Sequence, residues 1–147
     1  MKHDLFIDTG AFYSKYVVRD DLHVQSLELW KQVQKDRYTC VTSNFVLCEL
    51  ITLLVYRFGT LKALRVAREI YSTAAIRIIS ISSSLELLAL NWLEKYLDQD
   101  FSMTDATSFA LLKDQKISKV FSFDEDFDIA GFERLGYQKK IRPPTPT

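Results

Sequence analysis

Four carboxylates stand where their chemistry is hard to ignore. Asp8 follows the apolar run Leu5-Phe6-Ile7 and precedes Thr9-Gly10, Glu49 lies between Cys48 and Leu50 in a largely apolar stretch, Asp105 comes three residues after Ser102, and Asp124 three after Phe121. Singly, each has an ordinary structural role open to it. An acid in the first turn of a helix, where Asp105 is expected, stabilises that helix by about 0.3–1 kcal/mol. Glu49 can pair with an arginine, and most acids of Phe121-Ser122-Phe123-Asp124-Glu125-Asp126-Phe127-Asp128 can be solvated loop residues. Asp8 is harder to dismiss, because a carboxylate closing an apolar strand loses hydration and needs a partner or a cation. Brought to one place, four carboxylates repel one another unless they share protons or bind cations. Oxygen donors alone select hard ions, Mg²⁺ or Mn²⁺. Such an ion can activate a water, hold it in line with a phosphodiester and stabilise the leaving oxygen, so metal-dependent phosphodiester hydrolysis is the reaction this set suits.

Other reactive side chains are scarce. His3 and His23 have no nearby Cys, Glu or Ser arrangement, and Cys40 and Cys48 form no C-x-x-C or zinc spacing. A charge-relay hydrolase, a zinc module and a disulfide framework are therefore not expected.

For the acids to meet, the chain must bring several strand ends to one edge. Strands are expected at 5–7, 38–42, 76–79 and 120–121, with a fifth over 137–141 at the sheet edge. Helices are expected over 22–35, over 44–57 with Ser43 as N-cap and a stop at Phe58-Gly59, over 60–72, over 85–96 behind a Ser83-x-x-Glu86 capping box, and from Ser102 to about 114. Strands alternating with helices predict a three-layer α/β/α sandwich around a mainly parallel sheet, whose ligands gather at the carboxyl ends of its strands. Asp105 reaches that edge only if the 96–101 connection brings its helix N-terminus there. The 44–57 helix is apolar on more than one face, which predicts deep burial or a subunit contact.

The chain has 147 residues, the size of one domain, expected over 1–141 with a Pro/Thr-rich tail at 142–147. Its apolar runs are far shorter than the ~20 residues that cross a bilayer, and its N-terminus lacks the apolar core of a signal peptide. No membrane association and a cytoplasmic location are the expectations. Nineteen Lys and Arg balance nineteen Asp and Glu, so any role on nucleic acid needs a local arrangement. Setting the four site acids aside leaves the remaining side chains with a formal excess of basic charge. Net neutrality is thus compatible with an RNA enzyme whose substrate binding depends on its cation.

In chain order, Phe6-Ile7-Asp8-Thr9-Gly10-Ala11, Val41-Thr42-Ser43-x-Phe45-Val46-Leu47-x-Glu49-Leu50, Ser102-Met103-Thr104-Asp105-Ala106-Thr107-Ser108-Phe109 and Phe121-Ser122-Phe123-Asp124-Glu125-Asp126-Phe127 resemble the PIN-domain ribonucleases, most closely the VapC-like toxins of toxin–antitoxin pairs. No single piece is specific; the ordered set is. The resemblance implies endonuclease cleavage of RNA with Mg²⁺ or Mn²⁺, a homodimer, and inhibition by a cognate antitoxin protein. It assigns Asp8 and Asp105 to the metal, Glu49 to orienting or deprotonating the attacking water, and Asp124 to the fourth acid, with Asp126 two residues away as the alternative. Thr9, Ser102 and Thr104 match hydroxyl positions near the acids. Lys15, Arg19, Arg65 and Arg68 are the candidate RNA contacts, whereas Lys139, Lys140 and Arg142 read as a solvated edge. The rival classes fit less well. Asp8-Thr9-Gly10-Ala11 occurs once in a helix-rich chain, unlike an aspartic protease, and Gly10 stands where an aspartate-nucleophile phosphatase needs a second Asp. A catalytically idle PIN-fold module that binds RNA or a protein is the alternative from another class.

Overall fold

The computed structural model describes residues 3–135. Strands β1 (Asp4–Ile7), β2 (Thr39–Ser43), β3 (Ile76–Ile79), β4 (Lys119–Phe121) and β5 (Glu133–Arg134) form one sheet in the order β3-β2-β1-β4-β5, with every neighbouring pair parallel. The helices are α1 (Thr9–Tyr16), α2 (His23–Lys35), α3 (Asn44–Phe58), α4 (Thr60–Ser72), α5 (Ser83–Lys95), α6 (Met103–Gln115) and α7 (Asp126–Ile129).

Successive strand residues face opposite sides, so the complete burial of Leu5, Phe6 and Ile7 means that both faces of β1 are covered. In one helical layer Trp30 of α2 packs on Phe121 of β4 and Phe12 of α1, while its indole N–H donates to the Ala11 carbonyl at 3.1 Å. A second aromatic group, Trp92, Phe101, Phe109, Phe127 and Phe132, ties α5, α6 and α7 together. This is the expected α/β/α sandwich.

The strand order fixes where a ligand can sit. From β1 the chain steps outward to β2 and β3, then returns to β4 on the other side of β1. The helices leaving β1 and β4 therefore diverge and open a crevice at the carboxyl ends of these two strands. Ile7 pairs with Phe121, and the Asp8 N–H extends the ladder to the Phe121 carbonyl at 3.1 Å.

Three local features differ from expectation. Where no helix is expected before residue 22, Asp8-Thr9-Gly10 is the entry to α1, an eight-residue helix with Gly10 in its first turn. Its local signal is weak, and burial of Ala11, Phe12 and Ser14 holds it in place. α5 is capped by Ser82, whose hydroxyl accepts from the Leu85 N–H at 3.3 Å, instead of by a Ser83–Glu86 box. The short α7 begins at Asp126, within the acidic 124–128 segment where loop residues are expected. Ser43 caps α3 as expected, accepting from the Val46 N–H at 3.1 Å. At Gly59, φ is +87°, a conformation that favours glycine, and it lets α4 start immediately where α3 ends. The fifth strand expected over 137–141 and the tail over 142–147 lie outside the described residues.

Candidate active site

The crevice is a cleft of about 690 Å³ lined by Asp8, Glu49, Asp105 and Asp124, together with Asp126, Glu125 and Asp20. All four acids singled out in the sequence line this one cleft, from the β1–α1 junction, α3, α6 and the β4–α7 connection. Asp105 meets the condition set by its place in the chain, since the α6 N-terminus does face the cleft.

Asp8 is only 7% exposed. Its Oδ2 accepts from the Ser122 hydroxyl at 2.8 Å, whose oxygen accepts from the Asp124 N–H at 3.0 Å, while Asp124 Oδ1 accepts from the Asp126 N–H at 2.9 Å. This relay fixes the post-β4 turn relative to the end of β1. Burial pushes the Asp8 carboxyl up to about 7; the Ser122 hydroxyl and the Thr9 amide pull it back, and Asp105 and Glu49 push it up further.

Asp105 is both a cap and a member of the acidic group. Ser102 Oγ accepts from the Asp105 N–H at 3.0 Å and Asp105 Oδ2 accepts from the Ser102 N–H at 3.1 Å, a complete capping box. Asp105, Asp124 and Asp126 each also offer a carboxylate oxygen within 4.8 Å of the others. Burial raises Asp105 to about 6 against the pull of the Ser102 amide, with Asp124 and Asp126 adding to the rise. Burial and then Asp124 raise Asp126 as well. Both candidates for the fourth acid therefore stand beside Asp105.

Glu49 differs from its expected setting. It is exposed on α3 at the cleft wall, so it needs no buried arginine, and among the described residues it makes no ion pair. Thr9, another cleft residue, keeps its Oγ1 buried with no hydrogen-bond partner. Ser102 serves the cap. Thr104 lines an adjoining groove along α3 with Phe45, Cys48, Thr52, Leu53 and Tyr56. Of the basic candidates, Arg19 sits over the Phe58 ring at 5.3 Å, beside the cleft. Lys15 lies instead over Trp30, in a cavity shared with Tyr38 and Cys40 at the start of β2. Arg65 and Arg68 are exposed on α4, and Lys139, Lys140 and Arg142 fall outside the described residues. Sequence reasoning gave no role to Ser122, Tyr13 or Arg57, which meet the acids only through tertiary packing. The one available signal was a small polar residue directly after the buried Val120-Phe121 pair.

The chain matches the PIN domain over residues 5–133. It belongs to the PIN-domain family. Among relatives of this PIN-domain chain, the 23S rRNA-specific endonuclease VapC20 of Mycobacterium tuberculosis is 34% identical over 128 residues, covering 87% of this chain and 95% of that protein. A VapC ribonuclease of Archaeoglobus fulgidus is 27% identical over 125 residues, covering 84% of this chain and 78% of that one. The crystal structure of VapC20, described as a sarcin–ricin-loop-cleaving toxin, superposes with a TM-score of 0.78 at 31% identity, covering 88% of this chain and 96% of VapC20.

Proposed function

We propose that this PIN-domain protein is a divalent-cation-dependent endoribonuclease and the toxin of a toxin–antitoxin pair. The observation that carries the reading is the meeting of carboxylates from four parts of the chain in one cleft, with no ion pair to any of them among the described residues. An all-oxygen donor set fits a hard cation, and the unpartnered Thr9 hydroxyl adds a buried oxygen in the same cleft. Asp8, Glu49, Asp105 and Asp124 are the residues that would hold Mg²⁺ or Mn²⁺. When bound, the ion supplies Lewis-acid polarisation of a phosphoryl oxygen and neutralises developing charge.

The chain's own groups divide the remaining work. Glu49 is exposed at the cleft wall and free to orient the attacking water and accept its proton. Asp8 is oriented by the Ser122 hydroxyl, and Asp105 by its capping box. The name of VapC20, a 23S rRNA-specific endonuclease, makes ribosomal RNA the substrate to try first. The groove along α3, with Tyr56 84% exposed, supports a homodimer or a bound antitoxin on that face. Among the described residues no helix is long and apolar enough to cross a membrane; a cytoplasmic location is part of this proposal.

Purified protein incubated with ribosomal RNA tests the reading. Cleavage is expected in Mg²⁺ or Mn²⁺, none in EDTA, and recovery when the ion is returned. Asp105→Asn keeps an acceptor for the Ser102 amide and should remain folded yet inactive. A folded protein that leaves RNA intact with either ion would return the chain to the idle binding module. Sizing the same preparation at low micromolar concentration reads the self-association.

A further inference from the structure

The α1/α3 side of the cleft, which also carries Glu49, has a basic and aromatic part. Tyr13 of α1 and Arg57 of α3 line it. Arg57 Nη1 donates to the Tyr13 hydroxyl at 2.9 Å, and its guanidinium lies 5.3 Å from the centre of the Tyr13 ring. The neighbouring Phe58 ring, 6.5 Å from Tyr13, carries two more cations: Arg19 at 5.3 Å and the Lys62 ammonium at 4.6 Å. The tight α3–α4 junction at Gly59 is what sets Phe58 and Lys62 together.

Three cations on two adjacent rings repel one another, and among the described residues none of the three is in an ion pair. The ring faces hold them in place without neutralising them. A cation held on a ring still presents N–H donors outward; Arg57 has spent one of its five on Tyr13. The Lys15 pair with Trp30 lies in a cavity whose lining includes a single acid, Glu69. Here the three cations border a cleft whose lining also includes Asp20 and Glu49, neither of them in an ion pair with the three, so a polyanion meets attraction at the rim and repulsion at the acids beside it.

We infer that Arg19, Arg57 and Lys62, held over Tyr13 and Phe58, form the rim that grips the RNA backbone and seats it against the acids from the α1/α3 side. The inference rests on the nuclease reading above and adds the direction of approach and the kind of contact. Because the two rings already carry cations, they are not free platforms for stacked bases. The rim therefore grips phosphates and contributes affinity without sequence preference.

The test uses a fluorescein-labelled sarcin–ricin-loop hairpin, with binding measured by anisotropy in an Asp8→Asn background that leaves the RNA uncut. The triple variant Arg19→Ala/Arg57→Ala/Lys62→Ala is expected to bind at least about tenfold more weakly at low salt. Its slope of log K against log salt should be shallower by about 0.7–0.9 for each phosphate no longer neutralised. The single variant Arg57→Gln, which keeps a donor for Tyr13, guards against a folding defect and should flatten the slope by the amount of about one phosphate. Lys31→Ala/Lys35→Ala, exposed charges on α2, should change neither quantity. Unaltered affinity and slope in the triple variant, while the wild-type chain cuts RNA, would overturn the rim; an equal loss in the α2 control would do the same. A wild-type chain that cuts no ribosomal RNA in Mg²⁺ or Mn²⁺ overturns the nuclease reading itself, and the rim with it.

Discussion

Asp4 and Asp8 stand at opposite ends of β1 and meet opposite fates. Asp4, with its side chain 11% exposed, has the Arg77 guanidinium at 3.6 Å. Around it His3 stacks on Tyr38 at 4.0 Å, and the Lys119 ammonium donates to the Tyr38 hydroxyl at 3.4 Å. Asp8 is as deeply placed, yet its side chain receives a neutral hydroxyl and faces Asp105 and Glu49. The amino-terminal end of the sheet compensates its charge and the carboxyl-terminal end accumulates it. Buried charge without compensation is costly unless something outside the chain supplies the counter-charge. The second end is thus built for a ligand and the first for stability.

The largest effect expected from this contrast is on cleavage. Asp8→Asn keeps an acceptor for Ser122 and removes the charge, and single-turnover cleavage of ribosomal RNA should fall at least about 100-fold, since even outer-shell partners of a metal site cost about 10–100-fold when removed. The variant should melt no lower than the parent in EDTA, because the charge removed was uncompensated. Full activity in Asp8→Asn would mean that the two ends of β1 are chemically alike.

The carboxyl-terminal half of this contrast is readable from the chain before folding, for identifiable reasons. Leu5-Phe6-Ile7 announces a strand covered on both faces, and an acid at its end is conspicuous. Ser102 ahead of Asp105 announces a helix start, and the alternation of strands and helices sends Asp8 to the ligand edge, while Asp105 reaches it only through the course of the 96–101 connection. What is not readable depends on contacts between distant segments. The Ser122–Asp8 bond spans 114 positions and the Arg57–Tyr13 bond 44, and neither has a local signature. The exposure of Glu49 depends on which face of an almost wholly apolar α3 turns inward, and periodicity cannot decide that when apolar residues occupy several faces. α1 escapes notice because Gly10 in a first turn argues for a loop, and tertiary burial outweighs it.

A second effect, of a few degrees in melting temperature, concerns pH. Asp8 rises from 3.8 to about 7 and Asp105 from 3.8 to about 6 on folding, both first through burial. Between roughly pH 4 and 7 the folded chain therefore binds more protons than the unfolded one. Stability in EDTA should fall as pH rises through that window, since the slope follows the excess of protons on the unfolded state, which is here negative. Mg²⁺ or Mn²⁺ should lessen the fall by replacing the protons, and Asp8→Asn should flatten it. Melting curves from pH 5 to 8, with and without the ion, measure this; a fall of equal size in parent and Asp8→Asn would show that Asp8 is not its source.

The smallest effect belongs to Asp4, and it bears most directly on the amino-terminal end of the sheet. Its ion pair is long for a charge-assisted bond, and the Arg77 side chain is 49% exposed, so solvent screens much of the attraction. Asp4→Asn should cost about 0–1 kcal/mol, and the cost should shrink in 1 M NaCl, where the screening length is about 3 Å. A double-mutant cycle with Arg77→Met should give a coupling within the same range. Cleavage should be unchanged, because the charge removed lies at the far end of β1 from the cleft. A loss of cleavage comparable to that of Asp8→Asn would place both ends of β1 in one electrostatic network and remove the division between them. A coupling well above about 1 kcal/mol with normal cleavage would instead keep the division and show that compensation at the amino-terminal end is stronger than its exposure implies.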